Sequence, residues 1–151
     1  MAGQGAPTFL RWEDPIADAE PRLLRLCHRV FDGFDDAYLL DRLPHLAGPS
    51  LWLAEADGEW VAFKLGYRRG QTLFYSWLGG VDPDHRRRGL AEELTRRQHG
   101  EAAAKGFAHV ETRTRAGNNA MIIVNLRQGF HVVGFEVDGA GRSLVIQRKA
   151  L

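Results

Sequence analysis

Residues 82–94 read DPDHRRRGLAEEL, and this stretch separates the two halves of the fold. The residues just before it, 71–81, are rich in aromatic and β-branched side chains and predict a strand. Asp82-Pro83 favours a turn, and a helical pattern begins at Gly89. The stretch therefore predicts a strand, a tight loop and a helix in immediate succession.

On the N-terminal side of this stretch the chain predicts two helices and an antiparallel meander. The predicted strands cover residues 8–12, 50–56, 59–68 and 71–81, and the predicted helices cover 14–31 and 36–46. Asp57-Gly58 and Arg69-Gly70 are hairpin signals, so the last three strands should pair in sequence.

On the C-terminal side, helices are predicted at residues 89–105 and 119–128, and strands at 108–115, 131–137 and 143–148. A helix between two strands is the usual link between parallel neighbours, which predicts a βαβ unit. The expected fold class is α/β, an α+β mixed sheet in one domain over residues 1–151, with residues 1–7 as a flexible N-terminus.

The composition is typical of one soluble domain. Lys+Arg is 20 and Asp+Glu is 19, so the formal charge of +1 creates no long-range field for nucleic acid or an anionic membrane. Cys27 is the only cysteine and falls in an apolar helical pattern, which indicates an inert buried thiol and a reducing, cytoplasmic location. No stretch has the form of a secretory signal or a membrane span.

The six histidines lack the spacing of a zinc site, so we expect no metal.

The arginine-rich turn predicts a local anion site. Gly89 has no Cβ and Ala91 is small, so a ligand can approach the start of the helix closely. The first-turn amides and the helix dipole attract an anion, and Arg86, Arg87 and Arg88 add charge-assisted contacts that suit a pyrophosphate. The alternative is a solvated basic turn, and physics alone leaves both interpretations open.

The motif VDPDHRRRGLAEEL resembles the acyl-CoA signature of the GNAT superfamily of N-acetyltransferases, Gln/Arg-x-x-Gly-x-Gly/Ala, with Arg86, Gly89 and Ala91 in the specified places. A second segment, NNAMIIVNLRQGF, is similar to the Asn-x-x-Ala…Tyr-x-x-x-Gly-Phe region of that family. The order of predicted strands and helices is also that of the family over nearly the whole chain.

The resemblance implies a GNAT-like fold and acetyl-CoA as the co-substrate. It implies that the pyrophosphate is held by the side-chain region of Arg86 and by the amides of Arg87, Arg88, Gly89, Leu90 and Ala91. It also implies that Gly79 and Val81 bind the pantetheine arm through their backbones, where the Gly79-Gly80 pair suggests a β-bulge. Asn118 matches a cofactor-contacting position, and a helix cap is its other interpretation.

The catalytic groups are less well defined. Asn125 occupies the position of the tyrosine that protonates the departing thiolate in many family members, and an amide cannot act as that acid. Asn125 is therefore either a hydrogen-bond donor to the sulfur or the pantetheine, or a polar residue on a partly exposed helix face. Tyr75 and Glu111 are candidates for handling the proton of the attacking amine, with sheet packing or surface exposure as the alternative.

The expected function is transfer of an acetyl group from acetyl-CoA to a primary amine by direct attack in a ternary complex. The acceptor, a small molecule or a protein amine, should lie near residues 31–40, where Asp32, Asp35, Asp36, Phe34 and Tyr38 suit a cationic amine or serve as caps and packing. A non-catalytic acyl-CoA-binding or regulatory domain is the competing hypothesis. Interleaved glutamates argue against nucleic-acid binding, and the resemblance allows a homodimer.

Overall fold

The computed structural model describes residues 5–151, which form a seven-stranded mixed sheet with helices on both faces. The strands are β1 (Thr8–Arg11), β2 (Ser50–Ala56), β3 (Glu59–Arg68), β4 (Leu73–Val81), β5 (His109–Arg115), β6 (His131–Val137) and β7 (Ser143–Ala150). The α-helices are α1 (Glu20–Val30), α2 (Asp36–Leu40), α3 (Leu90–Ala104) and α4 (Asn119–Arg127). The predicted N-terminal tail falls partly on residues 1–4, outside the described residues, and residues 5–7 precede β1 without regular structure.

The sheet has the order β1-β2-β3-β4-β5-β7-β6, and only β4 and β5 pair in parallel. The predicted meander is confirmed in β2, β3 and β4, and Asp57 and Gly58 both have positive φ in the turn between β2 and β3, at 52° and 78°. The unit β4-α3-β5 is the predicted βαβ connection. The mixed α/β fold expected from the sequence is therefore confirmed.

The two N-terminal helices are shorter than predicted. A 3₁₀ turn occupies Ile16–Ala19, and α1 begins only at Glu20 because Pro21 is tolerated in the first turn of a helix and not in its interior. The second predicted helix ends at Leu40, and a 3₁₀ turn at Leu43–His45 follows, since Pro44 would break a continuous helix there.

The sheet opens between β4 and β5. These strands are paired only from Leu73 to Tyr75 on β4 and from His109 to Glu111 on β5. A last contact follows, in which the Thr112 hydroxyl donates to the Ser76 carbonyl oxygen at 3.1 Å. Beyond it, β4 keeps its partner β3 and presents its other edge to an opening in the sheet.

Two packed layers hold the walls of this opening. On one face, α1 and α2 bury Leu23, Leu26 and Leu39 against β2 and β3. On the other, α3 packs Leu90 and Leu94 against the meander, and Ala102 against Phe74. No helix of residues 5–151 is long and apolar enough to cross a membrane.

Candidate active site

A cleft of about 870 Å³ fills the opening between β4 and β5. It extends from the first turn of α3, through the gap between the two strands, to an aromatic wall beside α2. Among the residues that line it are Ala91, Thr95, Lys64, Ser76, Gly79, Thr112, Asn118, Asn125, Tyr75, Trp77, Tyr38 and Asp32. Of the twelve catalytic and cofactor-binding residues named from the sequence, five line this cleft: Tyr75, Gly79, Ala91, Asn118 and Asn125. Val81, Glu111 and residues 86–90 do not line it.

The loop before α3 has the geometry of an anion cradle. Arg87 and Gly89 both have left-handed backbones, with φ of 65° and 74°, and such turns expose successive amides on one side. The first intrahelical bond of α3 runs from the Glu93 amide to the Gly89 carbonyl oxygen at 3.1 Å. The amides of Leu90 and Ala91 therefore have no intrahelical acceptor. A Cβ at position 89 would meet nothing within 4 Å, so open space lies in front of the helix start.

The Arg86 side chain holds this loop in place. Its Nε donates to the Val81 carbonyl oxygen at 3.2 Å, and its Nη2 donates to the Val30 carbonyl oxygen, at the end of α1, at 3.3 Å. The cation thus binds the negative end of a helix dipole and the end of β4. Arg86 positions the loop, which leaves the loop amides as the principal donors for an anion.

A second pair of residues, which the sequence analysis missed, supports the same loop. The Asp82 carboxylate accepts a hydrogen bond from the Asp84 amide at 3.0 Å and pairs with Arg29 Nε at 3.0 Å. Arg29 Nη2 also donates to the Trp60 carbonyl oxygen at 2.7 Å. Asp82 directly before a proline is a recognisable capping signal, but its partner is 53 residues away and is visible only in the fold.

The open edge of β4 contains Gly79 and Val81, whose binding to the pantetheine arm stays a prediction. Gly79 lines the cleft, whereas Val81 does not, and the Val81 carbonyl oxygen already accepts a hydrogen bond from Arg86. The expected bulge is displaced. Leu65 pairs with Leu78 and Gly66 with Ser76, so the extra residue is Trp77 and not Gly79 or Gly80. Gly80 instead permits close packing, because a Cβ there would lie 2.2 Å from Val30 Cγ1.

Asn118 caps α4, which confirms the helix-cap interpretation, and it also lines the cleft, where its contact with the cofactor stays a prediction. Its side-chain oxygen accepts a hydrogen bond from the Met121 amide at 3.2 Å. The capped helix begins at the edge of the opening and carries Asn125 about two turns further on.

Asn125 is buried, so the expectation of a partly exposed helix position is wrong. Its Nδ2 donates to Gln147 Oε1 at 2.9 Å and lies 3.5 Å from the Thr114 hydroxyl oxygen. Gln147 Nε2 in turn donates to the Ile122 carbonyl oxygen at 3.2 Å. The Ile122 carbonyl can only accept, so Gln147 directs its amide nitrogen to Ile122 and its amide oxygen to Asn125. The Asn125 amide nitrogen must then face Gln147. The side-chain amide of Asn125, which the sequence suggested as a hydrogen-bond donor to the sulfur, therefore already donates to a group of the protein.

Tyr75 and Glu111 pair across the last rung between β4 and β5 but have different surroundings. Tyr75 lines the cleft, and burial raises the pKa of its phenol against the lowering effect of a hydrogen bond to Arg113. Glu111 is buried and accepts from Arg148 Nη2 at 2.9 Å and from Arg113 Nη1 at 3.1 Å. Both carboxylate oxygens of Glu111 are engaged and the residue does not line the cleft, so we do not retain it as a base.

Lys64 is a cleft residue that the sequence analysis missed. It is half-buried on β3, and its Nζ donates to the Ser76 hydroxyl oxygen at 2.9 Å. Burial lowers the pKa of this amine to about 8, since the low-dielectric surroundings disfavour its charged form. A lone lysine within the apolar run WVAFKLG, residues 60–66, was the available signal.

The wall beside α2 is aromatic. Tyr38 receives a hydrogen bond from Trp77 Nε1 at 2.9 Å, and the ring centroids of Tyr67 and Tyr75 are 5.4 Å apart. Of the three aspartates expected here, Asp35 caps α2, and Asp36 contacts His28 Nε2 at 2.5 Å. Asp32 lines the cleft and forms no ion pair with residues 5–151.

Known structures with the same fold extend over nearly the whole chain. The ribosomal-protein-S18-alanine N-acetyltransferase of Escherichia coli has a TM-score of 0.78 and 18% identity, covering 96% of this chain and 94% of its own. Ard1 from Thermoplasma volcanium has a TM-score of 0.77 and 17% identity, covering 97% and 98%. The PaiA N-acetyltransferase of Thermoplasma acidophilum, solved with coenzyme A, has a TM-score of 0.71 and 12% identity, covering 95% and 99%. No curated protein sequence matches the chain significantly.

Residues 21–118, well over half of the chain, match the family model described as an acetyltransferase (GNAT) domain. The chain therefore belongs to the GNAT family of acetyltransferases. The matched range includes the loop before α3 and ends at Asn118, before the segment that contains Asn125.

Proposed function

We propose that the protein is an N-acetyltransferase that moves the acetyl group of acetyl-CoA directly to a primary amine. The observation that carries this proposal is the continuity of the cleft, which connects the start of α3 to the aromatic wall through the open edge of β4. Two substrates that enter from opposite ends of such a cavity meet at the point where β4 and β5 separate.

The residues at the α3 end fit the anionic part of acetyl-CoA. The left-handed turns at Arg87 and Gly89 and the free first-turn amides suit a pyrophosphate, with the helix dipole adding to the attraction. The empty space in front of Gly89 gives the phosphates room to approach the backbone. Arg87 and Arg88 supplement the amides with positive charge, and Asn118 faces the same cleft from α4.

The open edge of β4 fits the rest of the molecule. Gly79 lies on this edge, where its backbone groups are available to the amides of the pantetheine arm. Acetyl-CoA supplies an acetyl group activated as a thioester. A backbone N–H of β4 near Gly79 would polarise the thioester carbonyl oxygen, and the strand holds that donor in place before reaction begins.

Direct transfer is favoured because the chain offers no thiol nucleophile. Cys27 is the only cysteine, and it lies on α1 with its side chain buried in the core, where burial raises its pKa to about 12. The nitrogen of the acceptor amine therefore forms the new C–N bond itself as the C–S bond breaks.

The aromatic wall and Asp32 would receive the acceptor. Tyr38, Tyr67 and Trp77 supply aromatic rings for a carbon skeleton to pack on, with Arg42 already over the Tyr38 ring at 4.4 Å, and Asp32 adds a negative charge to the same cleft. An amine with pKa near 10 must lose a proton before attack, and water in the cleft takes it. Tyr75 stays protonated, since burial raises its pKa, and its oxygen accepts a hydrogen bond from the amine.

A non-catalytic acyl-CoA-binding domain is the second candidate, and Asn125 favours it. The side chain that replaces the expected tyrosine has no acidic proton, and its donor is bound to Gln147. This candidate predicts binding of acetyl-CoA without release of CoA when an amine is added.

Gly89→Glu tests the cofactor site. The new carboxylate would project into the space in front of α3 and repel the phosphates, without a clash inside the protein. Acetyl-CoA at a hundred times its dissociation constant stabilises the native state by about 2.7 kcal/mol, which raises the Tm of a domain of this size by several degrees. We expect this rise in the parent and its loss in the variant, measured by thermal unfolding.

Gly106→Glu is the matched control. Gly106 also has positive φ, at 90°, and open surroundings, but it lies beyond the opposite end of the same helix. The control should lose stability as Gly89→Glu does while keeping the ligand-induced rise. CoA release with a panel of amines then separates the enzyme from the binding domain. An unchanged rise in Gly89→Glu would refute the cofactor site.

We further propose a homodimer. Val132, Phe135 and Val137 on β6 are each more than half exposed, and Ile123 and Leu126 on α4 are each 45% exposed. These five side chains, with Val133, form what we term the α4–β6 surface, whereas Met121 and Val124, also exposed, line the cleft. β6 is also the free edge of the sheet. A second copy is the partner that fits, because two β6 strands can pair antiparallel about a two-fold axis and cover this surface.

A further inference from the structure

Lys64 holds a positive charge at the point where the sheet opens, and no carboxylate balances it. Its ammonium has one hydrogen bond, to the neutral hydroxyl of Ser76 at 2.9 Å. It forms no ion pair with any acidic group of residues 5–151. A buried cation without a counterion destabilises a fold, so the position of this one calls for a compensating partner.

The position of Lys64 coincides with the reacting end of the proposed co-substrate. The backbone of Lys64 pairs with Gly79, the residue proposed to bind the pantetheine arm, and its side chain reaches Ser76 beside the last rung between β4 and β5. Lys64 and Ser76 both line the cleft, between the first turn of α3 and the aromatic wall. A thioester held along the open edge of β4 would place its sulfur in this region.

The reaction leaves an unpaired negative charge in the same region. When the C–S bond breaks, the sulfur departs with the electron pair as a thiolate. Asn125 has no proton to give, and its amide hydrogens face Gln147 and Thr114. A thiol has an ordinary pKa of about 8.5, so a nearby ammonium can either pair with the thiolate or protonate it.

We propose that Lys64 is the acid of this active site, whose ammonium first pairs with the departing CoA thiolate and then donates its proton to the sulfur. The N–H bond breaks as the S–H bond forms, and Lys64 remains as a neutral amine. Water entering the emptied cleft returns the proton before the next cycle. This inference rests on the proposed acetyl transfer and assigns the role that Asn125 cannot fill.

The surrounding groups leave Lys64 as the proton donor at this point. Burial lowers the pKa of His99, on α3, and the nearby charge of Lys64 lowers it further, to about 3. The imidazole is therefore neutral at physiological pH. Lys149 on β7 acts on the same imidazole but does not line the cleft. Tyr75 and Arg113 are the other titratable groups near the rung, and burial raises the pKa of the phenol. With a pKa of about 8, Lys64 is charged at neutral pH and is close in acidity to a thiol.

Two neutral variants, Lys64→Met and Lys64→Gln, test the proposal, with Lys149→Met as the matched control. The first readout needs no turnover: the pKa of the CoA thiol bound to each protein, measured from the ultraviolet absorption of the thiolate. In the parent this pKa should lie below that of free CoA, and in both variants it should return to the free value or above. Desulfo-CoA, which lacks the sulfur, should bind the parent and both variants equally.

The second readout is the pH profile of kcat with a reactive amine. In the parent the rate should fall as pH rises through about 8, because the acid is lost as Lys64 deprotonates. In the variants this fall in rate at high pH should vanish. The value of kcat at neutral pH should be about a hundredfold lower. This is the low end of general-acid effects, because a thiolate is a good leaving group even without a proton. Lys149→Met should keep the parent profile.

The possible outcomes separate the two proposals. Failure of the parent to bind CoA overturns both. Binding and turnover in the parent, with an unchanged thiol pKa and pH profile in both variants, overturn only the role of Lys64. A mass increase of one acetyl group on Lys64 after incubation with acetyl-CoA would also overturn it, since an acetylated amine is neither charged nor an acid.

Discussion

His99 lies on α3 with its imidazole almost entirely buried. The ring lies edge-on to Phe130, with centroids 5.8 Å apart, and neither ring nitrogen has a hydrogen-bond partner in residues 5–151. Burial lowers its pKa to about 3, with the charges of Lys64 and Lys149 as further causes. In the unfolded chain the pKa returns to about 6.5, so only the unfolded state takes up a proton between these values.

The stability of the protein should therefore fall as pH drops below 6.5. At pH 5 the penalty from His99 is about 2 kcal/mol relative to pH 8, since about 1.5 pH units are crossed. His99→Leu should remove most of this pH dependence in urea unfolding at pH 5 and 8. Replacement of the exposed His45 by Gln is the control for loss of an imidazole. An equally steep pH dependence in His99→Leu would contradict the assignment.

At the scale of elements, the packing of α1 against β4 fixes one wall of the cleft. A Cβ at Gly80 would lie 2.2 Å from Val30 Cγ1 and 3.5 Å from Phe31 Cζ, so Gly80→Ala must push the end of α1 away. We expect a loss of about 1–3 kcal/mol in unfolding free energy, as for other overpacked sites. Addition of Val30→Ala should recover part of that loss, because it removes the obstructing methyl groups.

Gly100→Ala is the control for this experiment. Gly100 lies within α3, and a Cβ there would meet nothing within 4 Å, so alanine should stabilise the helix by about 0.5–1 kcal/mol. If Gly80→Ala were as stable as the parent, the contact between α1 and β4 would not be tight. Close packing against Val30 explains why position 80 is a glycine. No such contact explains the glycine at position 100.

The elements also show which parts of the site can be predicted from sequence. The loop before α3 was predicted because its donors are backbone groups, and Asp82-Pro83 and Gly89 are local signals. The capping role of Asn118 was predicted for the same reason. Lys64, Gln147 and Arg29 were missed because their partners lie on other elements, and a single sequence contains no signal for such pairs. The burial of Asn125 was missed because the apolar pattern of α4 runs around the helix and does not define one inner face.

At the scale of the whole molecule, the opening between β4 and β5 divides the sheet into two parts with different surfaces. The part from β1 to β4 is covered by α1, α2 and α3, and its large apolar residues are mostly buried. In the part from β5 to β6, Val110 of β5 packs in a cluster with Ala102 of α3. Most of the exposed large apolar residues of positions 5–151 lie beside this part, in the α4–β6 surface. The one acidic residue of β6, Glu136, pairs with Arg113 at 2.8 Å, so no unbalanced charge separates two copies of this strand.

Phe135→Glu tests the proposed dimer at this surface. Phe135 is 62% exposed, so the fold should tolerate the change, whereas two carboxylates would meet near the two-fold axis of the dimer. Each buried phenylalanine contributes about 1.5–3 kcal/mol, and its loss from both copies should raise the dissociation constant at least about a hundredfold. Sedimentation velocity over a concentration series should give a dimer for the parent and a monomer for the variant. Leu151→Glu, a change at an exposed apolar residue outside the α4–β6 surface, should sediment like the parent. A monomeric parent, or a variant that remains dimeric, would exclude β6 as the subunit contact.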